Sequence, residues 1–363
     1  MATTSDTPHL YVALSSHGYG HAAMTAPVVN RLRALVPGVR LTIETRVPHG
    51  WLADRYDGPF AHVDHGRDFG MVMTSATEVD VEASATGYRR LHEDWESIVA
   101  VEAKRLAAAA PDLILANVSH VTLAAAARAR IPAVAFCSLN WAGIYRHYCG
   151  HRPEAGRILG QMEEAYASAL VFLRPLPAMP MPGFANRRDI GPVARLGRDR
   201  RRDLERLLGV GEGTRIGLLA FGGIDPGLNT EAWPRHPGWM WMSGRADEPV
   251  RPDVVTTASL PLPFADLLRS SDLLVTKPGY GTFAEAGCLG LPVLYARRDD
   301  WPEEPHLGDW LKRHTRALAV DGATLRSGDI GAALASLLAQ PAPVPATPSG
   351  IDEAAEVLAR HLG

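Results

Sequence analysis

Cysteine is scarce. Cys137, Cys149 and Cys288 stand far apart in 363 positions. An odd, scattered set fits neither a disulfide framework nor a zinc site, and suggests a reducing compartment. Long apolar runs are missing as well: no window reaches the ~18 uncharged apolar residues of a membrane span. The opening MATTSDTPHLYVAL has no positive n-region and no long apolar stretch. No signal peptide is therefore expected and the cytosol is the expected compartment, with contact at a membrane surface left open. Net charge is only −3, which gives no global pull toward nucleic acid. No Asp-x-Asp sequence occurs, and none of the fourteen histidines has metal-ligand spacing, so no metal is expected. Repeats of solenoid period are also missing.

What remains is ordinary for a globular protein, with 46% hydrophobic and 21% charged residues and enough length for two cores. The first half alternates short apolar runs with helical periodicity. HLYVALSS (9–16), VRLTIET (39–45), DLILANVS (112–119), IPAVAFCSL (131–139) and LVFLR (170–174) read as strands. Residues 21–35, 88–109 and 121–130 read as helices between them. The second half repeats the alternation: strands at 215–223, 238–244 and 253–259, helices near 263–271 and 327–340, and a strand–turn–helix–strand over 272–296. Strands alternating with helices imply parallel sheets covered on both faces. The expected architecture is α/β, two doubly wound Rossmann-like domains facing across a cleft.

RPLPAMPMPG (174–183) holds four prolines and reads as the linker between them. That places the domains at 1–178 and 185–345. PAPVPATPSG (341–350) is a second connector, and 351–363 a final helix that could pack back on the first domain. The arginines at 187, 188, 195, 198, 200, 201 and 202 read as a solvated face, chiefly of a helix near 199–208, in preference to a phosphate patch.

Two glycine turns follow strands, where open parallel sheets bind ligands. In SSHGYGHAAM (15–24), Gly18 and Gly20 leave bare backbone at a helix start, a contact site for an anion or hydroxyl. His17 and His21 flank it, and a histidine beside substrate can serve as a base near neutral pH. The same residues also fit a plain capped turn. A dinucleotide fingerprint fits too, since Gly18-Tyr-Gly20-His-Ala-Ala23 matches G-x-G-x-x-A and Glu44 ends the next strand. In TKPGYGTFAEAGCLGLPVLY (276–295), Gly279 and Gly281 give the second turn. Thr282 and Glu285 have the spacing of a capping box. Glu285 would alternatively accept hydrogen bonds from a ribose diol.

This second stretch, followed by the acidic RRDDWPEEP, resembles the donor half of GT-B glycosyltransferases, nearest the family 28 branch that contains the lipid II-forming N-acetylglucosaminyl transferase. The resemblance covers most of the chain in architecture and three short motifs in residues. It implies that Glu285 holds a nucleotide ribose, that FGGIDPG (221–227) approaches the donor diphosphate through Gly222 and Gly223, and that His21 is a base or acceptor contact. The chain departs from the family in its acidic loop, so Asp300, Glu303 and Glu304 are all candidates to meet the sugar. It is also short between Gly223 and Trp239, with room for only a turn or two of helix.

The implied chemistry is transfer of a sugar from a nucleotide-diphospho-sugar, expected to be a UDP-sugar, to an acceptor hydroxyl, with no cofactor beyond that co-substrate. Gly222, Gly223, Gly279 and Gly281 would admit the diphosphate, Thr282 would donate a hydroxyl and Lys277 would add charge. His21 is the expected base, with His17 beside it. Gly18, Gly20, Asn140 and Trp141 are assigned to the acceptor, with Phe69, Met71 and Met73 as a wall; for Trp141, core packing is an equal alternative. A sugar-nucleotide epimerase or hydrolase, a non-catalytic nucleotide-sugar-binding protein and an NAD-dependent oxidoreductase are the competing functions.

Overall fold

The computed structural model describes residues 7–15, 17–74, 78–222, 228, 230–244 and 251–362. The chain forms two units, Met1–Val193 with Ser349–Gly363, and Ala194–Pro348.

The first unit holds a sheet of β1 (His9–Leu14), β2 (Arg40–Glu44), β3 (Ala61–Val63), β4 (Leu113–Asn117), β5 (Ala133–Phe136), β6 (Val171–Pro175) and β7 (Arg187–Ile190). Their order is β3-β2-β1-β4-β5-β6-β7, and every pairing is parallel. Each residue of β1 is buried, as a central strand covered on both faces requires. The second unit holds β8 (Arg215–Ala220), β9 (Trp239–Ser243), β10 (Val254–Thr256), β11 (Leu273–Thr276), β12 (Val293–Ala296) and β13 (Ala317–Val320), in the order β10-β9-β8-β11-β12-β13, again parallel. Alternate side chains feed two cores: Leu218 and Leu274 join Phe283 and Trp310 on one face, Leu219 and Val275 join Trp241 and Leu337 on the other. In each sheet the chain order reverses at one place, between β1 and β4 and between β8 and β11. Such switch points open a crevice at the carboxyl ends of the strands.

The proline-rich stretch 174–183 does not separate the units. It joins β6 to its neighbour β7; Arg174 ties the two strands through Asp189 at 2.7 Å and also donates to the Met179 carbonyl of the connecting stretch at 2.9 Å. Prolines stop a strand equally well inside a domain, so composition alone misplaced the boundary, which falls at Val193–Ala194. The helix Gly350–Leu362 lies on the helix Gly20–Leu35 within the first unit, with Arg31 and Asp352 paired at 2.6 Å.

One expected helix, 88–109, is divided, and another, 327–340, begins four residues late at Gly331. Asp94 leaves helical geometry between Val81–Glu93 and Trp95–Ala109, and Trp95 stacks on His92 across the break. Gly328, at φ +70, ends Gly322–Ser327 ahead of Gly331–Ala339, and a Cβ there would lie 2.2 Å from Trp233. Between Gly222 and β9 the described residues hold a single 3₁₀ turn, Thr230–Ala232. Gly223 lies outside the described residues. No described helix is long and apolar enough to cross a membrane.

Candidate functional site

Both glycine turns sit at switch points. After β1, Gly18 takes φ +75, which glycine alone adopts without strain. Gly20 opens the helix with ordinary φ, and a Cβ on it would meet nothing within 4 Å. Neither backbone geometry nor packing asks for glycine there. That helix start has no side-chain cap.

His21 is sunk beneath the turn, 7% exposed. Its Nδ1 lies 3.0 Å from Asn117 Oδ1 at the end of β4. The orientation of that amide is fixed, because its Nδ2 donates to Thr25 Oγ1 at 2.7 Å and to the His21 carbonyl at 3.2 Å. Oδ1 therefore accepts from Nδ1–H, and Nε2 keeps the lone pair. Burial, with a smaller push from the charge of His17, lowers the imidazole pKa to about 4 against the pull of the Asn117 bond. The ring is a neutral base throughout the physiological range.

Trp141 and Asn140 belong to the architecture behind this turn. Trp141 is fully buried and donates its indole N–H to Asp68 Oδ2 at 3.0 Å. Its edge supports the rings of His17 and His21 at 5.2 and 5.7 Å. A side chain with no exposure cannot stack on an acceptor, so the core alternative holds for Trp141. Asn140 caps the helix Trp141–Cys149 by accepting from the Gly143 N–H at 2.7 Å. Of the expected acceptor wall, Met71 is buried, while Phe69 and Met73 are half-buried.

Burial raises the pKa of Asp68 to about 7, against hydrogen bonds from Ser15 and Trp141 that lower it. The native state thus holds a proton that the unfolded chain releases near pH 4. Stability from this group is complete below about 4 and is lost as pH rises through about 7. Buried His21 and His92, both near 4, act in the opposite direction below the ordinary histidine value. They are common to wild type and variant and cancel in a comparison. Asp68→Asn should gain stability relative to wild type between pH 5 and 8, measured as denaturant midpoints. A constant difference would show that the carboxyl is not buried as a protonated group.

Glu44, the carboxylate of the dinucleotide alternative, is engaged elsewhere. It is 4% exposed, accepts from Tyr11 Oη and Arg105 Nη2, each at 2.6 Å, and lies beside His65 and Glu102. Arg105 and Arg67 also bond Glu102, at 2.8 and 3.0 Å. Guanidinium groups supply the positive charge that this acidic cluster needs, and Glu44 is not free to hold a ribose.

The second turn follows β11. Thr276 Oγ1 donates to the Ala220 carbonyl at 2.5 Å, joining the ends of β11 and β8. The helix Tyr280–Leu289 starts after Gly279, not at Thr282. The capping box therefore does not form; Thr282 sits inside the first turn and its hydroxyl donates back to the Gly279 carbonyl at 3.4 Å. The helix start has no side-chain cap, and a Cβ on exposed Gly281 would meet nothing within 4 Å. Gly222, at φ +67, is also open. Glu285, freed from capping, is half-buried and bonds no described residue. Burial raises its carboxyl pKa to about 7, and the nearby charge of Arg195 opposes the rise. Lys277 is half-buried and closes no ion pair with a described residue. Burial and the charge of Arg298 both lower its pKa.

The three acidic candidates separate. Asp300 is exposed. Glu303 is 5% exposed, precedes the helix Glu304–His314 and accepts from Trp301 Nε1 at 3.4 Å. Glu304, half-buried, is raised by burial and by Asp299.

One feature escaped sequence reasoning. Small-molecule sites typically measure about 300–1,000 Å³, and the second unit has a pocket of ≈ 600 Å³ lined by Arg195, Gly197, Arg198, Leu262, Pro263 and Ala265, among others. A Cβ on Gly197 would lie 2.2 Å from the Ala265 backbone, so the two segments pack main chain to main chain. In the arginine-rich stretch, Arg187, Arg200 and Arg201 are paired with acids, as a solvated face requires. Arg195 and Arg198 close no ion pair with a described residue. The signal in sequence was an excess of arginines over nearby acids, which does not say which of them stay unpaired.

No family model matches the chain. Its two parallel α/β units have the fold of GT-B glycosyltransferases. The calicheamicin glycosyltransferase CalG4 superposes with a TM-score of 0.63 at 16% identity, covering 98% of this chain and 94% of that one. The kitacinnamycin glycosyltransferase gives 0.62 at 18%, covering 98% and 95%. UGT89C1 of Arabidopsis thaliana, complexed with UDP, gives 0.57 at 12%, covering 98% and 100%. In sequence, L-arabinokinase of Arabidopsis thaliana is 28% identical over 318 residues, 85% of this chain. The chain spans only 30% of that kinase. These neighbours support the GT-B fold and do not single out the family 28 branch.

Proposed function

We propose that the chain binds a nucleotide-diphospho-sugar in its second unit and transfers the sugar to an acceptor hydroxyl. The observation that carries this reading is Glu285: a half-buried carboxylate, bonded to no described residue, beside a bare glycine turn at a switch point. A ribose diol supplies two donors to such a group. The cavity beside Arg195 has room for the attached base. The diphosphate then meets the helix start at Gly279–Thr282, which has no side-chain cap and where main-chain N–H groups and the helix dipole favour negative charge. The UDP-bound UGT89C1 and the dTDP-bound glycosyltransferase VinC share this fold, which supports a nucleotide donor.

In the transfer, the bond from the sugar C1 to the diphosphate oxygen breaks and its electrons leave with the diphosphate. The acceptor oxygen bonds to C1, and its proton passes to His21 Nε2. Asn117 keeps Nδ1 protonated, so Nε2 is the nitrogen able to take that proton. The likeness of 272–296 to the family 28 donor motif points the same way.

Binding without transfer is the second reading. It is favoured by His21 being 7% exposed and paired with an amide, which leaves it a weak base. Calorimetry separates the outcomes. UDP should bind and NADH should not, and Glu285→Ala should weaken UDP by about ten-fold or more, the worth of hydrogen bonds to a charged group. Undiminished UDP binding by that variant would remove Glu285 from the site.

A further inference from the structure

We propose that Lys277 and Arg298 together hold the diphosphate of the bound nucleotide, as a cation pair at the ends of two neighbouring strands. The proposal rests on the nucleotide reading above and adds Arg298 to it. Lys277 is the first residue after β11, and Arg298 is the second after β12. The strands are parallel partners with Thr276 opposite Tyr295, so both cations leave the same edge of the sheet. The uncapped helix start at Gly279 leaves that edge too.

Charge explains why the helix start is insufficient. It offers the equivalent of about half a positive charge, whereas a nucleoside diphosphate carries roughly three negative ones. Two full cations close most of that gap. Conversely, a half-buried ammonium is costly without a counter-charge, and Lys277 finds none among the described residues. The charge of Arg298 adds to that cost, as the lowered Lys277 pKa reflects. An anion between the two relieves both effects.

Arg298 is also held in position. Its guanidinium lies 4.0 Å from the centre of the Trp301 ring. Trp301 is 6% exposed, and its indole N–H reaches Glu303 at 3.4 Å. Glu303 thus acts as a support: it fixes Trp301, and Trp301 fixes the planar fork that phosphate oxygens fit. During transfer the same pair would stabilise the charge that gathers on the leaving diphosphate.

The test compares UDP with uridine, which lacks the phosphates, on the full chain. UDP affinity is read by calorimetry and uridine affinity by ligand-observed NMR. Arg298→Gln should weaken UDP by about ten-fold or more and leave uridine within about two-fold, because only charged hydrogen bonds are lost. Lys277→Gln should do the same. Arg298→Lys keeps the charge and should recover part of the UDP affinity. The UDP-to-uridine ratio of the wild type should fall as salt rises. UDP binding unchanged in Arg298→Gln overturns the pair. So does an equal loss for uridine and UDP that Arg298→Lys does not relieve. A wild-type chain that binds neither ligand overturns the nucleotide reading itself, and the pair with it.

Discussion

Replacing His21 with alanine should reduce sugar transfer by about 10²–10⁴-fold, the usual worth of a positioned base. UDP affinity should stay near wild type, because every group assigned to the nucleotide is in the second unit. The two readouts together separate a catalytic loss from a folding loss. The partner residue allows a sharper test. Asn117 offers His21 an amide oxygen at 3.0 Å, and burial leaves the imidazole pKa at about 4. Asn117→Asp puts a negative charge at the same place and should raise that pKa by about one to three units. A base works only when unprotonated, so activity rises with pH through its pKa. The acidic limb of the rate profile should therefore move to higher pH in Asn117→Asp. Normal transfer by His21→Ala would remove the base assignment and leave the binding reading in its place.

The second large effect concerns stability. Trp141→Ala should cost about 3–5 kcal/mol, the range for emptying a buried aromatic site. The indole has no exposure, and three neighbours depend on it. Asp68 takes its N–H, and the rings of His17 and His21 rest on its edge. A Cβ on Gly70, at φ +69, would come within 2.7 Å of the indole, so the loop closes tightly over it. At about 2–4 °C per kcal/mol, the melting temperature of the first unit should drop by on the order of 10 °C. Trp141→Phe keeps most of the packing but removes the donor to Asp68, and should cost less. A melting temperature unmoved by Trp141→Ala would mean that the loop and the helix do not pack as described.

Much of the fold was legible in the sequence because burial on both faces leaves a direct trace. Continuous apolar runs such as LYVAL and LLVT can only be central parallel strands when helical patterns lie between them. Short edge elements left less trace. β3 spans three residues and β7 is rich in charge, so neither reads as an apolar run. The proline-rich stretch between β6 and β7 shows the limit of composition: it marks where a strand stops, not whether the next one joins the same sheet.

By itself, the sequence determined two parallel α/β units, and it placed a glycine turn after the first or central strand in each. Spacing and turn chemistry are local, and a strand followed by Gly-x-Gly and a helix has few ways to fold. The tertiary structure alone decided which polar groups remain available. It used Trp141, Asn140, Glu303 and Glu44 for packing, capping and ion pairing, and left Glu285, Lys277 and Arg195 without such partners among the described residues. Whether a side chain is satisfied depends on atoms brought from distant parts of the chain, and no local pattern encodes that.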